Sequence, residues 1–176
     1  YGVNPTLANY QAQLYFSNSV TNAVVRNNLF VNDVDPSFNP YFFCVKADDH
    51  NMGGIDMDRN LYSTADPDAA FADIVGITGV YQMSEWAEFR ADTGWDATSP
   101  SPQDPMLVNG GGGDFHPADG TPAVAAGVPL PGLVADHDGA TRPDPPTLGA
   151  FEFGVIFADG FEPGDWERWS VTSPSP

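Results

Sequence analysis

Residues 23–31 are echoed later in the chain by residues 54–62. Aligning the two stretches places Asn28 over Asn60, and in both copies this Asn is followed by Leu and an aromatic residue. Self-similarity of this kind is typical of chains in which each copy packs on the next. An Asn at a corner tolerates a left-handed backbone and can hydrogen-bond its stacked counterpart. The echo therefore predicts two stacked copies joined by an Asn ladder.

Short β-prone segments surround both copies and are separated by Asn-rich corners. The six segments that we predict to be strands are 13–17, 23–26, 29–31, 41–46, 55–57 and 60–62. Three short strands per copy describe one turn of a coil whose backbone groups are met by the next turn. We therefore predict an all-β fold class, the terminal coils of a right-handed parallel β-helix with one short helix and an irregular Gly/Pro-rich cap.

The helix signal begins at Ser84, a good N-cap residue, and ends at Gly94, which can close a helix in the left-handed conformation. After residue 97, Pro and Gly are so frequent that long regular elements are excluded. These features predict three parts. Terminal coils span 1–64, a cap with the helix spans 65–154 on the same core, and a loose tail spans 155–176.

The charge of the chain excludes two classes of partner. It has 24 acidic and 6 basic residues and a net charge of −18, which repels the phosphates of nucleic acids and the anionic face of a membrane. No apolar run is long enough to cross a bilayer. We therefore expect no nucleic-acid partner and no membrane insertion. A polyanionic substrate is a poor match unless a cation or a local basic cluster intervenes.

Cellular context is indicated by composition. Cys44 is the only cysteine and lies in an apolar run, so we predict a small buried hydrophobe rather than a disulfide partner. The few lysines, the many Asp, Asn, Gly, Thr and Pro residues, and the acidic pI favour an exported bacterial protein, secreted or at the cell surface. The start at Tyr1 rather than Met fits a processed product or the carboxyl-terminal piece of a longer precursor.

Several motifs resemble a known group of proteins. Asn-Asn-Leu-Phe at 27–30 and Arg-Asn-Leu-Tyr at 59–62 resemble coil ends of right-handed parallel β-helix repeat proteins, the pectate-lyase-like superfamily. The later order is similar to the choice-of-anchor region that ends many secreted bacterial members, in segments 85–86, 104–108, 113–115, 121–123, 136–139 and 148–152. The resemblance implies the carboxyl-terminal portion of a longer protein, with most of any catalytic face upstream.

Two functions follow from the resemblance. The first is an extracellular protein that acts on or binds polysaccharide, and as an enzyme it would be a polysaccharide lyase or a glycoside hydrolase. The second is a non-catalytic structural or adhesive exoprotein that assembles through an open strand edge. Its partner is then another chain stacked on that edge, either a second copy in a homo-oligomer or the upstream part of the same precursor.

Candidate catalytic residues are Lys46, Arg26 and His50. The resemblance implies lyase chemistry, in which basic residues neutralise a uronate and abstract its α-proton. Lys46 and Arg26 are otherwise surface residues that pair with Asp48, Asp49 or Asp58. His50 is either an acid or base beside Asp49 or a loop histidine that only hydrogen-bonds.

Candidate ligand contacts are of two kinds. Clustered carboxylates suit Ca²⁺, and the alternative is a solvated acidic edge; these residues are Asp48, Asp49, Asp56 and Asp58. Trp95, beside an acidic residue in a predicted loop, and Arg59 are candidate substrate contacts, because sugar-binding faces use aromatic rings for stacking. Solenoid interiors and caps also consume aromatic residues, and most of the rings are predicted to serve there.

Overall fold

The computed structural model describes residues 11–17, 20–33, 42–48, 54–66, 68–77 and 79–154. The α-helix in these ranges is α1 (Trp86–Thr93), which follows a 3₁₀ helix at Met83–Glu85, and a second 3₁₀ helix lies at Gly110–Gly112. The strands are β1 (Gln11–Phe16), β2 (Val24–Arg26), β3 (Leu29–Asn32), β4 (Phe42–Ala47), β5 (Asp56–Asp58), β6 (Leu61–Thr64), β7 (Ala70–Ile74), β8 (Gly79–Gln82), β9 (Leu107–Asn109) and β10 (Asp114–Pro117).

The strands form four sheets. The largest has the order β1-β4-β7-β8, in which β1, β4 and β7 are parallel and β8 is antiparallel to β7. β2 pairs in parallel with β5, and β3 pairs in parallel with β6. β9 and β10 form an antiparallel hairpin. The six predicted strands are therefore all found, each shifted by no more than a residue or two.

The predicted fold class, an all-β right-handed parallel β-helix, is wrong. The strands divide into one mixed four-stranded sheet and three two-stranded sheets, and no solenoid forms in the described residues. The physical reason lies after β7, where Gly76 and Gly79 have φ angles of 96° and 95°. This left-handed turn chemistry, which glycine adopts without steric cost, reverses the chain. β8 therefore returns antiparallel instead of beginning a further coil.

The predicted register between the two copies is confirmed. Phe30 pairs with Tyr62 across the β3–β6 ladder, and their rings stack at a centroid distance of 5.0 Å and an interplanar angle of 11°. Asn28 Nδ2 donates to Asn60 Oδ1 over 3.0 Å at a sequence separation of 32 residues. The repeat read from the sequence therefore corresponds to direct strand pairing.

Asn60 holds the corner between the copies through a buried hydrogen-bond network. Its Oδ1 accepts from the backbone N–H of Asn28, at 3.1 Å, as well as from the side chain. Its Nδ2 donates to the carbonyl of Val25, at 3.0 Å, and to Asp96 Oδ1, at 2.9 Å. The hydroxyl of Tyr62 donates to the other oxygen of Asp96 at 2.8 Å. Burial raises the pKa of Asp96. The donors of Asn60 and Tyr62 oppose this rise, because they stabilise the buried carboxylate.

The left-handed backbone at the corner belongs to the residue before each ladder Asn. Asn27 and Arg59 have φ angles of 60° and 56°. Asn27 also ties the corner to the carboxyl-terminal half, because its side chain donates to the carbonyl of Val128 at 2.7 Å and accepts from the N–H of the same residue at 3.0 Å. Its carbonyl accepts from the N–H of Gly149 at 2.8 Å. The predicted hydrogen bond between Asn28 and Asn60 is thus confirmed. The left-handed backbone lies one residue earlier than predicted, at Asn27 and Arg59.

The helix ends as predicted but begins differently. Gly94 closes α1 with φ 71°. Ser84 is not the N-cap, because a 3₁₀ helix precedes α1 and Gln82 forms a capping box with Glu85, whose side chain accepts from the N–H of Gln82 at 2.8 Å. α1 packs its apolar side chains onto the core, as the sequence predicts.

Aromatic side chains dominate the main core. They come from β1, β3, β6, β7, β8, α1 and the following loop, namely Phe16, Phe30, Tyr62, Phe71, Tyr81, Trp86, Phe89 and Trp95. Cys44 is fully buried, as predicted, and burial raises the pKa of its thiol to about 12. A second, smaller core joins Leu61 to Ala123 and Leu148. The loops after α1 are therefore packed on the same strands that carry the repeat.

We expect Asn60→Ala to lower the free energy of unfolding by about 3 kcal/mol, because it leaves several buried donors and acceptors without partners. Denaturant unfolding followed by tryptophan fluorescence measures the change. Gln103→Ala, which removes an exposed amide with one long hydrogen bond of 3.3 Å, is the control and should change stability by less than about 0.5 kcal/mol. Equal effects of the two substitutions would contradict the role given to Asn60.

Candidate functional site

A cleft of about 1310 Å³ lies between the strands of the repeat and the later loops. One side is formed by residues of β1, β3 and β6, and the other by the β9–β10 hairpin and by residues 133–151. We call residues 133–152 the wall segment. Pockets for single small molecules usually measure about 300–1,000 Å³. The cleft therefore has room for several units of a chain-like ligand.

The cleft combines apolar rings with hydrogen-bonding groups. Phe115 on β10 is 53% exposed, and Phe151 lines the same space from the wall segment. The other lining side chains that carry hydrogen-bonding groups include Gln13, Asn28, Asp33, Ser63, Thr64, Gln103, Asp104, Asp136 and His137. An exposed aromatic ring beside amides, hydroxyls and carboxylates can hold a ligand that has both apolar faces and polar edges.

Asp136 fixes the turn near the start of the wall segment. Its Oδ1 accepts from the N–H groups of Asp138 and Ala140 at 2.9 and 2.8 Å, and its Oδ2 accepts from the N–H of Glu152 at 2.8 Å. Residues 137–138 are in a turn. The local cause is the ability of an Asp side chain to bond backbone N–H groups two residues on.

Arg142 and Glu152 hold the second half of the wall segment together. Their side chains are 8% and 2% exposed and form an ion pair of 2.7 Å. Arg142 also donates to the carbonyls of Thr147 and Gly149 at 3.2 and 2.8 Å, and the second oxygen of Glu152 accepts from the N–H of Thr147 at 2.9 Å. A guanidinium in this position organises several carbonyls at once, which a lysine could not reproduce.

His116 on β10 connects the hairpin to the wall segment. Its Nδ1 lies 2.6 Å from Asp114 Oδ1, and its Nε2 lies 2.8 Å from Asp138 Oδ2. The ring stands 4.1 Å from that of Phe151. Hydrogen bonds to Asp138 and then to Asp114 raise the pKa of His116, and the same contacts hold the pKa values of both carboxyls below their usual range.

The candidate catalytic residues are not brought together. Lys46 lies on β4 and forms an ion pair of 2.6 Å with Asp73 on the neighbouring β7. Arg26 lies on β2, in a different sheet, and forms an ion pair of 2.6 Å with Asp56 on β5. His50 lies outside the described residues. Both basic residues therefore pair with aspartates, but the partners are Asp56 and Asp73 rather than the predicted Asp48, Asp49 or Asp58.

The candidate calcium ligands are dispersed over separate interactions. Asp48 accepts from the hydroxyl of Tyr15 at 2.5 Å, and Asp58 accepts from the N–H and the hydroxyl of Thr98 at 2.9 and 2.6 Å. Asp56 faces Arg26, as described above, and Asp49 lies outside the described residues. Within the described ranges, no group of three or more His, Cys, Asp or Glu side chains could hold a metal ion. The Ca²⁺ prediction thus gains no support from this part of the chain.

The candidate substrate contacts lie away from the cleft. Trp95 is only 7% exposed and packs in the main core, at ring distances of 5.8 Å from Phe16 and 6.4 Å from Phe89. Arg59 occupies a left-handed corner position and does not line the cleft. Trp95 therefore follows the alternative prediction for aromatic residues, which is packing in the core. An exposed ring is found instead at Phe115.

Sequence reasoning missed the cleft residues because they come from distant parts of the chain. One local signal was present in the Asp-x-His pattern of 114–116, since alternate residues of a strand share a face. No local pattern indicates that the same histidine reaches Asp138, which is 22 residues further on.

No protein-family model, no curated protein and no solved structure matches this chain. The resemblance to the pectate-lyase-like superfamily therefore stays a prediction, and function has to be argued from the site itself. Within the described ranges, none of the helical segments has the length and apolar character that crossing a bilayer requires.

Arg142→Met should lower the free energy of unfolding by about 3–5 kcal/mol, because it leaves the buried Glu152 carboxylate without its cation. The matched control is Arg26→Met, which breaks an ion pair whose side chains are 30% and 46% exposed and should cost no more than about 1 kcal/mol. Chemical denaturation of both variants at neutral pH measures the difference. Similar losses would contradict the structural role of the Arg142 pair.

Proposed function

We propose that this protein is a binding module for a neutral polysaccharide chain, which it holds in the cleft between the strand repeat and the wall segment. The observation that carries the proposal is the combination of the exposed Phe115 ring with a surrounding set of hydrogen-bonding side chains in one large open cleft. Export to the cell exterior, predicted from composition, belongs to the same proposal, because a secreted protein meets polysaccharide chains there.

Sugar chemistry fits both components of the cleft. The C–H face of a pyranose ring is apolar and packs on an aromatic ring, whereas its hydroxyl edge requires donors and acceptors. Phe115 and Phe151 offer the rings, and amides such as Gln13 and Gln103 offer both donors and acceptors. Because the cleft exceeds the volume of a typical small-molecule pocket, an oligomer of several sugar units fits better than a single sugar.

The charges of the cleft favour a neutral ligand. Both arginines that line it are already paired with carboxylates, Arg26 with Asp56 and Arg142 with Glu152. The lining also contains three aspartates, and the chain as a whole has a net charge of −18. A uronate polymer would meet unfavourable electrostatic interactions at every approach.

Binding is favoured over catalysis by what two of the three cleft aspartates already do. Asp136 accepts three backbone hydrogen bonds that hold the wall segment, and Asp104 accepts from the N–H of Met106 at 2.7 Å. A general acid or base must be free to exchange a proton with the substrate. These two carboxylates are used as acceptors within the fold, so the proposal assigns them a structural task.

The proposal is tested by affinity electrophoresis and calorimetry of the folded protein on a panel of soluble polysaccharides, including β-glucan, xylan, galactomannan and polygalacturonate. We expect binding to at least one neutral polymer and none to polygalacturonate. Phe115→Ala should weaken binding about tenfold, the loss expected when one stacked ring of about 1.4 kcal/mol is removed.

Val108→Ala is the control for that substitution. Val108 lies on the same hairpin and is 57% exposed, but it does not line the cleft. Its removal should leave the affinity unchanged. Absence of binding to every neutral polymer would contradict the proposal. Equal losses of affinity in Phe115→Ala and Val108→Ala would also contradict it.

A second candidate function is self-association through strand edges. Within the described residues, no strand pairs with the outer edges of β1, β2 and β3, and exposed Val24 (64%) and Tyr15 lie on two of these strands. Unpaired edges with exposed apolar side chains are templates for pairing with another chain. This arrangement would serve the structural or adhesive role that the sequence analysis kept as its alternative.

Light scattering over a range of protein concentrations tests this second candidate. Self-association predicts a mass that rises with concentration, and Val24→Lys should suppress the rise because a charge on an edge strand opposes pairing. Val134→Lys, at an exposed position on the wall segment, is the control. A mass equal to that of the monomer at every concentration would exclude self-association.

A further inference from the structure

His116 joins two parts of the chain that are distant in sequence. Asp114 belongs to its own strand β10, whereas Asp138 belongs to the turn at 136–139 of the wall segment. A neutral imidazole carries one N–H, so it can donate to only one of two ionised carboxylates. The imidazolium carries two. Both observed contacts, at 2.6 and 2.8 Å, are therefore hydrogen bonds only when the ring is protonated.

We propose that His116 is a protonation-dependent clasp, which fastens the turn at 136–139 to β10 when its ring is charged and releases that turn when the ring is neutral. The fastened and released states differ by the loss of one charge-assisted hydrogen bond and of the attraction between the ring and two carboxylates. No covalent change is involved.

The groups that face the ring from each neighbouring element fit this clasp. From β10, Asp114 faces Nδ1, and its Oδ1 also accepts from the N–H of His116 at 3.1 Å. From the turn, Asp138 faces Nε2, and His137 Nδ1 shares Asp138 at 3.4 Å. Phe151 covers one face of the ring without adding charge.

Asp136, the remaining charged group of the turn, does not compete for the imidazole. Its oxygens are occupied by the N–H groups of Asp138, Ala140 and Glu152. The titration of the clasp is therefore set by His116 and its two carboxylates, with His137 as a more distant contributor on the far side of Asp138.

The pH range of the clasp follows from the directions of the pKa shifts. The pKa of His116 is raised above its ordinary value of 6.5, so its contribution is complete below pH 6.5 and is lost as pH rises through the raised value. The pKa values of Asp114 and Asp138 are lowered from 3.8, so their contribution is complete above pH 3.8 and is lost as pH falls through the lowered values. The clasp is fastened between these limits.

The clasp controls a boundary of the cleft. Phe115, the residue before His116, lines the cleft from the hairpin, and His137 and Phe151 line it from the wall segment. Release of the turn frees the wall segment to move relative to the β9–β10 hairpin. The consequence for a ligand, which rests on the function proposed above, is that polysaccharide affinity falls as pH rises through the pKa of His116.

NMR titration of the imidazole groups in the whole chain, without any glycan, tests the clasp itself. We expect His116 to titrate above 6.5 and the amide resonances of residues 137–139 to shift over the same pH range, because the contact between the ring and Asp138 is lost. Asp138→Asn should move the His116 titration toward 6.5, because it removes the first of the two carboxylates. His116→Gln, which keeps a donor but not the charge, should abolish the pH dependence of these amide shifts.

Asp119→Asn is the matched control, since it removes one exposed carboxylate from the turn after β10 and should leave the His116 titration unchanged. Titration of His116 at 6.5 in the unsubstituted protein would overturn the clasp. An unchanged titration in Asp138→Asn would do the same. Both readouts are independent of ligand and require only that the variants fold, which circular dichroism establishes.

Polysaccharide affinity measured across the same pH range separates the clasp from the proposed function. A severalfold loss of affinity that follows the His116 titration, and that is absent in His116→Gln, supports the coupling between clasp and cleft. Affinity that is constant with pH, in a protein whose NMR titration shows the clasp, overturns the coupling. If no polysaccharide binds at any pH, the proposed function fails, whereas the titration still decides the clasp.

Discussion

The buried amide of Asn60 is the interaction on which the two halves of the structure depend. It is met by Asn28 from the first copy of the repeat and by Asp96 from the loop after α1, and all of these contacts lie between 2.9 and 3.1 Å. Because an unpaired buried amide is costly, the strands and the loop must adopt one mutual position. The stacked pair of Phe30 and Tyr62 then lies directly beside the network, and the hydroxyl of Tyr62 becomes part of it.

The parts of the fold that the sequence predicts are those in which local preference and repetition agree. The positions of β1 to β6 and the register of Phe30 on Tyr62 follow from short β-prone runs separated by Asn corners. The overall architecture does not follow, because two copies of a repeat do not determine what comes next. Gly76 and Gly79 turn the chain back after β7, and their positive φ angles cannot be deduced from a repeat that has already ended.

In the candidate site too, local features can be predicted from the sequence whereas the overall arrangement cannot. An aspartate partner for Arg26 is within reach of sequence reasoning, because the repeat aligns β2 with β5. The partner of Lys46 is Asp73 on β7, which lies outside the repeat. Trp95 is predicted to be a substrate contact in a loop, but it packs against Phe89 in the core. The cleft is assembled from residues that no periodicity connects. Its wall depends on long-range contacts such as the Arg142 pair, which become visible only when the loops are folded.

Two ion-pair systems hold the wall segment, and they differ in exposure. The pair of Arg142 and Glu152 is buried, and both of its side chains are also hydrogen-bonded to backbone groups. The contacts of His116 are about half exposed and involve a group whose charge changes near neutral pH. The buried pair therefore holds residues 142–152 together, while the contacts of His116 join the turn at 136–139 to β10.

We propose that a neutral polysaccharide binds in the cleft, and two-dimensional NMR of the labelled protein tests this. The titrant is an oligosaccharide of the neutral polymer to which the protein binds in affinity electrophoresis. We expect the amide resonances of β10, of the wall segment and of β3 to shift together and to saturate with a single affinity. Shifts confined to residues outside the cleft, or resonances of the cleft that do not move at saturating ligand, would contradict it.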